Sequence, residues 1–415
     1  MSKKYFVLIL SVFFLSGCSQ KVKSVLADSE STLNTGSKLQ KFHSIVYYPN
    51  DITLDFPGYI VGVEKSPKKA IFSSSSTLKF DTKKKSSGIK RTIFRIKKEP
   101  KVLYVSHILR YNGCGKKSDF IYNLYGKDKK NIPWAFDKSY EALKLLKQDI
   151  DKNIDKYDSV IVFVMGWNTS QEEAVRNFNA LYKNLKESSN NTINPLFIGV
   201  TWPSEWEVSM LPDDLVKLFS FPVKANDADE LGVTWLGMLI HKTLADIEKP
   251  LYIIGHSFGA RATTMALFEG NILYKDKPYS KKYANTLISL QGAYSVKRFL
   301  PKGLEGIEYD ISNVEQIVLT SSKYDYAMDT AFWKAYYVGD DKSYKKYCED
   351  EQKFMCGVYD ENYQIVFNRA SKITYLNCDS IIKNNAYLSG GGAHSDIYDK
   401  EMGEFIWKVL KRDFH

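Results

Sequence analysis

The sequence predicts an α/β fold in which helices cover both faces of a mostly parallel central sheet. From residue 102 onward, short apolar runs alternate with stretches of helical periodicity, a pattern that is typical of βαβ units. Six apolar runs are candidates for buried strands: 102–107, 160–165, 196–201, 251–254, 287–290 and 317–320. With 415 residues, 44% of them hydrophobic, the chain is long enough to bury one large core and still carry additional segments.

Helices are predicted between the first of these strands. Apolar residues recur at helical spacing over residues 140–150 and 175–185, and polar residues fill most of the positions between them. Both stretches are therefore expected to be amphipathic helices that pack on the sheet.

The pentapeptide Gly255-His256-Ser257-Phe258-Gly259 has the pattern G-x-S-x-G and stands between the strand 251–254 and a helix-like stretch at 260–268. A strand that turns sharply into a helix strains the backbone at the serine and requires small residues beside it. Such a turn lifts the hydroxyl above the sheet, next to a helix N-terminus that favours developing negative charge. The motif predicts Ser257 as a nucleophile and, more narrowly, the α/β-hydrolase fold.

A nucleophilic serine needs a base, and histidine has a pKa suited to that task near neutral pH. In this fold the chain order is serine, acid, histidine, which excludes His43, His107 and His241, while His256 lies inside the turn itself. Of the remaining two, His394 and His415, the first lies in a glycine-rich loop before an amphipathic helix predicted at 396–411. His394 is therefore the predicted base.

The acid that orients the histidine is expected just beyond the strand at 317–320. Asp325 occupies that place, and Asp329, about one helical turn further, is the alternative. Either aspartate is equally compatible with a helix N-cap or a solvated loop.

An oxyanion hole requires two backbone N–H groups directed at the charge that forms in the transition state. One is expected from Phe258, directly after the nucleophile. The second is expected from Trp167, because the strand at 160–165 ends in Gly166-Trp167-Asn168.

Three segments, taken in order, resemble a bacterial α/β-hydrolase family of unknown function. They are Val164-Met165-Gly166-Trp167-Asn168, Val200-Thr201-Trp202-Pro203-Ser204 and the Gly-His-Ser-Phe-Gly turn. Members of this family carry a strand ending in His-Gly-Phe-Asn and a later Trp-Pro-Ser. The resemblance covers roughly residues 101 to 415, and it implies the fold and a triad of Ser257, Asp325 and His394.

The chain departs from that family in two places. The family's histidine before the first glycine is Met165 here, which puts the shape of the pocket and the activity in question. The connection between Asp325 and His394 is longer than usual, which predicts an insertion at about 332–385 near the site. A second insertion is expected at about 204–249, where apolar and aromatic residues are typical either of a lid over the site or of ordinary helix packing.

The first eighteen residues resemble an export signal. Lys3 and Lys4 precede an apolar stretch at 5–15 that is too short to remain as a membrane-spanning helix. The sequence Leu15-Ser16-Gly17-Cys18 resembles the lipobox of bacterial lipoproteins, in which the cysteine is lipidated and becomes the first mature residue. We therefore expect residues 1–17 to be a signal peptide, and Cys18 to anchor the protein in the cell envelope. Because Ser19 follows in place of Asp, the outer membrane, on its periplasmic side or surface, is favoured over the inner membrane.

The rest of the N-terminal part is divided into a tether and an accessory region. Residues 18–41 are polar and rich in Ser and Lys, as is typical of a flexible tether. Residues 42–100 are predicted to form a small irregular accessory region with β-prone pieces at 44–48, 59–63 and 92–96. The α/β-hydrolase domain is expected to comprise residues 101–415.

Four further cysteines, Cys114, Cys348, Cys356 and Cys378, form an even number in an exported chain, where disulfides persist. Three connectivities exist. We favour Cys348 with Cys356, which lie only eight residues apart, and by elimination Cys114 with Cys378.

The charge of the chain is moderately basic, with 58 Lys and Arg against 48 Asp and Glu. Lysine runs at 83–85, 97–98 and 129–130 are typical of a solvated surface, and they are also compatible with contact to anionic lipid or polysaccharide. No zinc-finger, RNA-binding or recognition-helix pattern accompanies these runs, so nucleic acid is not expected as a partner.

These observations predict a lipid-anchored serine hydrolase that cleaves a carboxylic ester through an acyl-enzyme, without a metal or organic cofactor. An amidase, a thioesterase or an acyltransferase would use the same residues. A rival hypothesis, which Met165 and the basic N-terminal half suggest, is a non-catalytic envelope protein that uses the fold as a binding surface. The expected partners are a small-molecule or lipid ester and the membrane, and the sequence leaves the oligomeric state open.

Overall fold

An eleven-stranded mixed sheet lies at the centre of the fold. The structure is a computed structural model that describes residues 55–67, 78–83, 85–113, 119–124, 134–167, 169, 171–204, 213–275, 277, 279–304, 306–327, 336–350, 353–360, 365–367, 372–384 and 392–412. The strands are β1 Pro57–Pro67, β2 Lys101–Asn112, β3 Asp119–Asn123, β4 Ser159–Val164, β5 Pro195–Thr201, β6 Leu251–His256, β7 Ala284–Leu290, β8 Val314–Ser321, β9 Phe354–Tyr359, β10 Ile365–Phe367 and β11 Ile373–Asn377.

The order of the strands is β10-β9-β11-β8-β7-β6-β4-β5-β1-β2-β3. All neighbours from β9 to β1 pair in parallel, whereas β10 at one side and β2 and β3 at the other are antiparallel. The six strands predicted from apolar runs are confirmed as β2, β4, β5, β6, β7 and β8.

Helices lie against both faces of this sheet, as predicted. They are α1 Ser87–Lys98, α2 Ala135–Asn153, α3 Gln171–Ser188, α4 Asp213–Leu231, α5 Phe258–Glu269, α6 Asp341–Asp350 and α7 Lys400–Lys411. The side chains of β4 alternate between two hydrophobic clusters, one on each face of the sheet. Val160, Val162 and Val164 belong to the cluster that includes residues of α1, α2, α4 and α5. Ile161 and Phe163 belong to the cluster that includes residues of α3 and α7. This alternation is the one expected for a strand buried on both faces.

Part of the predicted accessory region is built into the sheet and its helical layer. The prediction of a strand at 59–63 is confirmed within β1, which pairs with both β5 and β2. The prediction of a strand at 92–96 is wrong, because these residues lie in α1. Their β-branched side chains favour a strand locally, but Ile89, Ile93 and Ile96 recur at helical spacing and are buried together. The prediction for 44–48 lies outside the described residues.

One of the two predicted disulfides is confirmed. Cys348 and Cys356 are bonded, which joins α6 to β9. The pairing of Cys378 with Cys114 is wrong, because Cys378 is a buried free thiol. Burial raises the pKa of this thiol. Cys114 lies outside the described residues, but β2, which ends shortly before it, is seven positions from β11 in the strand order. At about 4.8 Å per strand, that separation is roughly 34 Å.

A buried ionic cluster fixes the position of α5, the helix that begins directly after Ser257. The carboxylate of Asp229 in α4 accepts two hydrogen bonds from Arg261 in α5, at 2.9 and 2.7 Å. Arg298 donates to the same carboxylate at 3.2 Å. Burial alone would raise the pKa of Asp229, but the two guanidinium groups hold it below its ordinary value. The carboxylate is therefore charged in the core and ties α4 to α5.

Candidate active site

The backbone at Ser257 adopts the strained turn that the motif predicts. Ser257 stands between β6 and α5 with φ 54° and ψ −121°, a conformation that costs a non-glycine residue about 1–3 kcal/mol. Two bonds hold it: its N–H donates to the carbonyl of Leu290, the last residue of β7, at 3.0 Å, and its carbonyl accepts from the N–H of Ala293, just after β7, at 3.1 Å. The surrounding sheet thus stabilises the strained residue.

The two glycines of the motif are required by close packing. A Cβ atom at Gly259 would lie 2.1 Å from the carbonyl oxygen of Val164. A Cβ atom at Gly255 would lie 2.5 Å from Cα of Ala260. A larger residue at Gly259 would push the turn away from the end of β4, where the predicted oxyanion loop begins, and one at Gly255 would push α5 away from β6.

Asp325 and His394, which are 69 residues apart in the chain, are hydrogen-bonded. Nδ1 of His394 lies 2.8 Å from Oδ2 of Asp325, and the aspartate side chain is fully buried. Asp325 follows β8, and His394 lies in a short helical segment, Gly392–Tyr398, just before α7. A bond from Ala393 N–H to the Tyr324 carbonyl, at 2.9 Å, joins the two loops directly. With Nδ1 bound to a carboxylate, Nε2 is left as the basic nitrogen of the imidazole.

His256, which the sequence analysis excluded as a base, has a different place in the site. Its Nε2 lies 3.0 Å from the carbonyl oxygen of His394, and the two rings are 4.5 Å apart between centroids. A carbonyl only accepts, so Nε2 of His256 carries the proton. Burial, together with the adjacent His394, lowers the pKa of His256 well below its ordinary value. A neutral His256 therefore connects the serine turn to the loop that carries His394.

The loop after β4 passes directly against the serine. A Cβ atom at Gly166 would lie 2.8 Å from Cβ of Ser257, so only a glycine allows this approach. Trp167 follows, and its ring packs with the rings of Phe258 and Phe221, each at 6.1 Å between centroids. The structure thus brings the two predicted oxyanion residues, Trp167 and Phe258, together beside Ser257.

The Trp-Pro-Ser segment holds this loop in place. The indole N–H of Trp202 donates to the carbonyl of Met165 at 2.9 Å. The hydroxyl of Ser204 donates to the carbonyl of Thr169 at 2.7 Å and accepts from its N–H at 3.3 Å. Lys224, which is fully buried, donates to the carbonyl of Pro203 at 2.6 Å. The motif therefore holds the predicted oxyanion loop in place, a role that its sequence did not reveal.

Met165, the residue that replaces the family's histidine, is buried and has a polar contact. The hydroxyl of Tyr398 lies 3.5 Å from its Sδ atom. Tyr398 lies in the segment that carries His394, so Met165, directly after β4, contacts the histidine loop.

Several predicted residues lie outside the described residues: Cys18, Asn168, Asp329 and His415. Of the expected lid at 204–249, the structure places Phe221 in the aromatic cluster beside Ser257. Within the expected insertion at 332–385, the described residues form α6 and the strands β9, β10 and β11, which extend the sheet.

Three carboxylates approach one another away from Ser257, namely Glu99, Asp227 and Glu230. The ammonium of Lys65 lies among them, bonded to Asp227 and 3.2 Å from Glu99. Burial raises the pKa of Glu230 to about 8, and the two neighbouring carboxylates act in the same direction. The group is therefore an internal ion cluster whose centre a lysine occupies.

The fold and the serine turn together define an α/β-hydrolase domain. Residues 140–288 match the model of a family described as alpha/beta hydrolase of unknown function (DUF900). The predicted resemblance is thereby confirmed over a stretch that contains the oxyanion loop, the Trp-Pro-Ser brace and Ser257. Asp325 and His394 lie beyond it. A comparison with curated proteins finds no match.

The histidine next to the nucleophile makes the stability of the protein depend on pH. The pKa of His256 is lower in the folded than in the unfolded chain. Below about pH 6.5 the unfolded chain therefore binds a proton that the folded protein does not. The matched variant is His256→Gln, which keeps a donor for the His394 carbonyl but does not titrate. As the pH falls below about 6.5, we expect the free energy of unfolding of wild type to decrease, relative to that of His256→Gln, by up to about 1.4 kcal/mol per pH unit. Urea unfolding of both proteins between pH 8 and pH 5 measures this, and a constant difference would contradict it.

Proposed function

We propose that the protein is a serine hydrolase that cleaves a carboxylic ester through an acyl-enzyme. The observation that carries the proposal is the hydrogen bond between His394 and the buried Asp325. The backbone carbonyl of His394 is in turn bonded to His256, which lies next to Ser257 in the turn. Loops of three distant chain segments thus converge at one edge of the sheet, which is where this fold places its chemistry.

In the proposed reaction, Nε2 of His394 takes the proton of the Ser257 hydroxyl as its oxygen attacks the ester carbonyl. Asp325 keeps the imidazole in the required tautomer and stabilises the imidazolium. The protonated His394 then delivers its proton to the leaving alcohol. Water, activated by the same histidine, releases the acid and restores Ser257.

The negative charge of the tetrahedral intermediate requires donors close to Ser257. The N–H of Phe258 is the first of α5, whose N-terminus favours negative charge. The N–H of Trp167 is proposed as the second donor, and the Trp202 brace fixes the loop that presents it. Amides, thioesters and acyl transfer would use the same residues, so a substrate panel is needed to select among them.

The first test is covalent labelling of Ser257 by a fluorophosphonate. The protein used is the chain from Ser19 onward, which lacks the expected signal peptide and Cys18. We expect labelling of wild type, none of Ser257→Ala, and rates at least about a thousandfold lower for His394→Ala and Asp325→Asn. Asp310→Asn, which changes an exposed ion-paired aspartate, is the control and should react like wild type. A folded wild type that does not react would favour the rival hypothesis of a non-catalytic binding protein.

A second test addresses the brace of the oxyanion loop. Trp202 and Trp235 are both buried, and each donates its indole N–H to a backbone carbonyl, Met165 at 2.9 Å and Leu103 at 2.7 Å. Phenylalanine at either position leaves a buried carbonyl without that donor, at a cost of about 1–3 kcal/mol. We expect both variants to lose similar stability, but only Trp202→Phe to label about tenfold more slowly, because only Met165 leads into the oxyanion loop. Equal labelling rates in the two folded variants would contradict this role.

We also propose that Cys18 is lipidated and anchors the protein in a bacterial cell envelope, with the outer membrane favoured. The sequence Leu15-Ser16-Gly17-Cys18 after a short apolar segment supports this proposal. None of the described helices is long and apolar enough to cross a membrane. Several acyl chains on one residue would give stable attachment. In such a location, lipid or short-chain esters are the proposed substrates.

Lipidation is tested by metabolic labelling with palmitate in a bacterial host. We expect wild type to incorporate the label and to partition into detergent, because the attached acyl chains are apolar. Cys18→Ser should do neither, whereas Cys114→Ser should behave like wild type. Palmitate incorporation that persists in Cys18→Ser would refute the assignment of the anchor.

A further inference from the structure

Four aromatic rings form a continuous cluster beside Ser257. The ring of Phe221 in α4 lies 4.7 Å from that of Phe258 and 6.1 Å from that of Trp167, measured between centroids. On its other side, 5.8 Å away, lies the ring of Tyr337. Rings at such separations are in contact, so no apolar chain fits between them. These four rings are hereafter the ring cluster.

The ring cluster and the predicted base lie on opposite faces of the sheet. The three buried rings of the cluster belong to the hydrophobic core on the face of α1, α2, α4 and α5, and Trp167 packs against that core. The segment that carries His394 contributes Ala393 and Ile397 to the core on the face of α3 and α7. Ser257, at the end of the sheet, therefore has the base on one side and the rings on the other.

This arrangement sets the directions of the groups around the carbon that Ser257 attacks. The oxyanion points to the N–H groups of Trp167 and Phe258, and the leaving oxygen faces Nε2 of His394, which delivers its proton. The acyl chain is the remaining substituent of the same tetrahedral carbon. It therefore points away from His394 and toward the ring cluster.

We propose that Phe221 limits the acyl group to a few carbons, so that the protein cleaves esters of short acids in preference to esters of fatty acids. An acyl chain that extends toward the ring cluster collides with Phe221, because this ring already fills the space beside Trp167 and Phe258. The inference rests on the proposed function of Ser257 and names the substrate class of that site.

Helix α4 holds Phe221 in place through two polar contacts. Lys224, three residues further along α4, donates to the carbonyl of Pro203 at 2.6 Å. Asp229, two turns further along the helix, accepts two hydrogen bonds from Arg261 of α5. The ring cannot withdraw unless these buried contacts move with it. A long acyl chain is therefore excluded, because a close-packed wall does not yield to it.

The test compares the hydrolysis of 4-nitrophenyl acetate, butyrate and octanoate, which share one leaving group, by the chain from Ser19 onward. We expect kcat/KM of wild type to be at least about thirtyfold lower for octanoate than for acetate. Phe221→Leu and Phe221→Ala should raise the ratio of octanoate to acetate at least about tenfold. The reason is that two further methylenes buried in the opened space are worth about fourfold each.

Phe268 supplies the matched control. It is buried in the same hydrophobic core, and its ring lies 4.9 Å from that of Tyr309 and 6.1 Å from that of Phe299. At 1.5 Å per residue, it lies about 15 Å along α5 from Phe258. Phe268→Leu and Phe268→Ala remove the same atoms from the core and should keep the ratio of wild type. The leucine variants carry the comparison if an alanine variant does not fold, which circular dichroism shows.

Three outcomes would overturn the inference, and they are distinguishable. A wild type that hydrolyses octanoate as fast as acetate removes the limit assigned to Phe221 but leaves the proposed function intact. An equal change of the ratio in the Phe221 and Phe268 variants assigns the effect to core packing, again without affecting the proposed function. If folded wild type hydrolyses none of the three esters faster than Ser257→Ala, the proposed ester hydrolysis fails, and the substrate class fails with it.

Discussion

The close contact between the serine turn and the end of β4 is the constraint on which the rest of the site depends. Gly259 lies so near the carbonyl of Val164 that no side chain fits between them, and a side chain at Gly166 would collide with Ser257 itself. These two contacts bring the proposed nucleophile, Ser257, and the predicted oxyanion loop next to each other. The strained backbone at Ser257 is the local cost of this arrangement, and bonds to the end of β7 offset it.

Each of the other site elements stabilises that contact from a different side. The Trp202 indole holds the oxyanion loop from the end of β5, and the Asp229 cluster fixes α5 from α4. His256 does the same toward the C-terminal segment, because its ring N–H bonds the carbonyl of the residue proposed as the base. A neutral histidine suits this position, since a second positive charge 4.5 Å from the His394 ring would oppose formation of the imidazolium.

The sequence predicted the parts of the structure that are encoded locally. Buried strands were visible as apolar runs, and the turn at Ser257 was visible as a motif. Chain order left His394 and His415, and the glycine-rich loop before a helix favoured His394. Asp325 was preferred to Asp329 because it lies just beyond a predicted strand. The prediction failed where a local preference opposed a longer pattern, as at residues 92–96, where β-branched residues lie on a helix. The prediction also failed for Cys378, which was paired with Cys114 only because no other cysteine remained. The sequence does not show how far apart two cysteines lie across the sheet. The roles of Trp202 and His256 were not predictable, because both act through backbone carbonyls that no side-chain pattern encodes.

The family match ends at residue 288, between the nucleophile and the two residues proposed to activate it. This boundary separates two kinds of constraint. The matched part contains contacts so tight that they admit few residues: three glycines against backbone or Cβ atoms, and a tryptophan that donates to one carbonyl. The acid and the histidine need only reach each other across one hydrogen bond, so loops of different lengths can deliver them. The long connection between Asp325 and His394, with its added strands and disulfide, is therefore compatible with an intact site, because the bond from Ala393 to Tyr324 closes it locally.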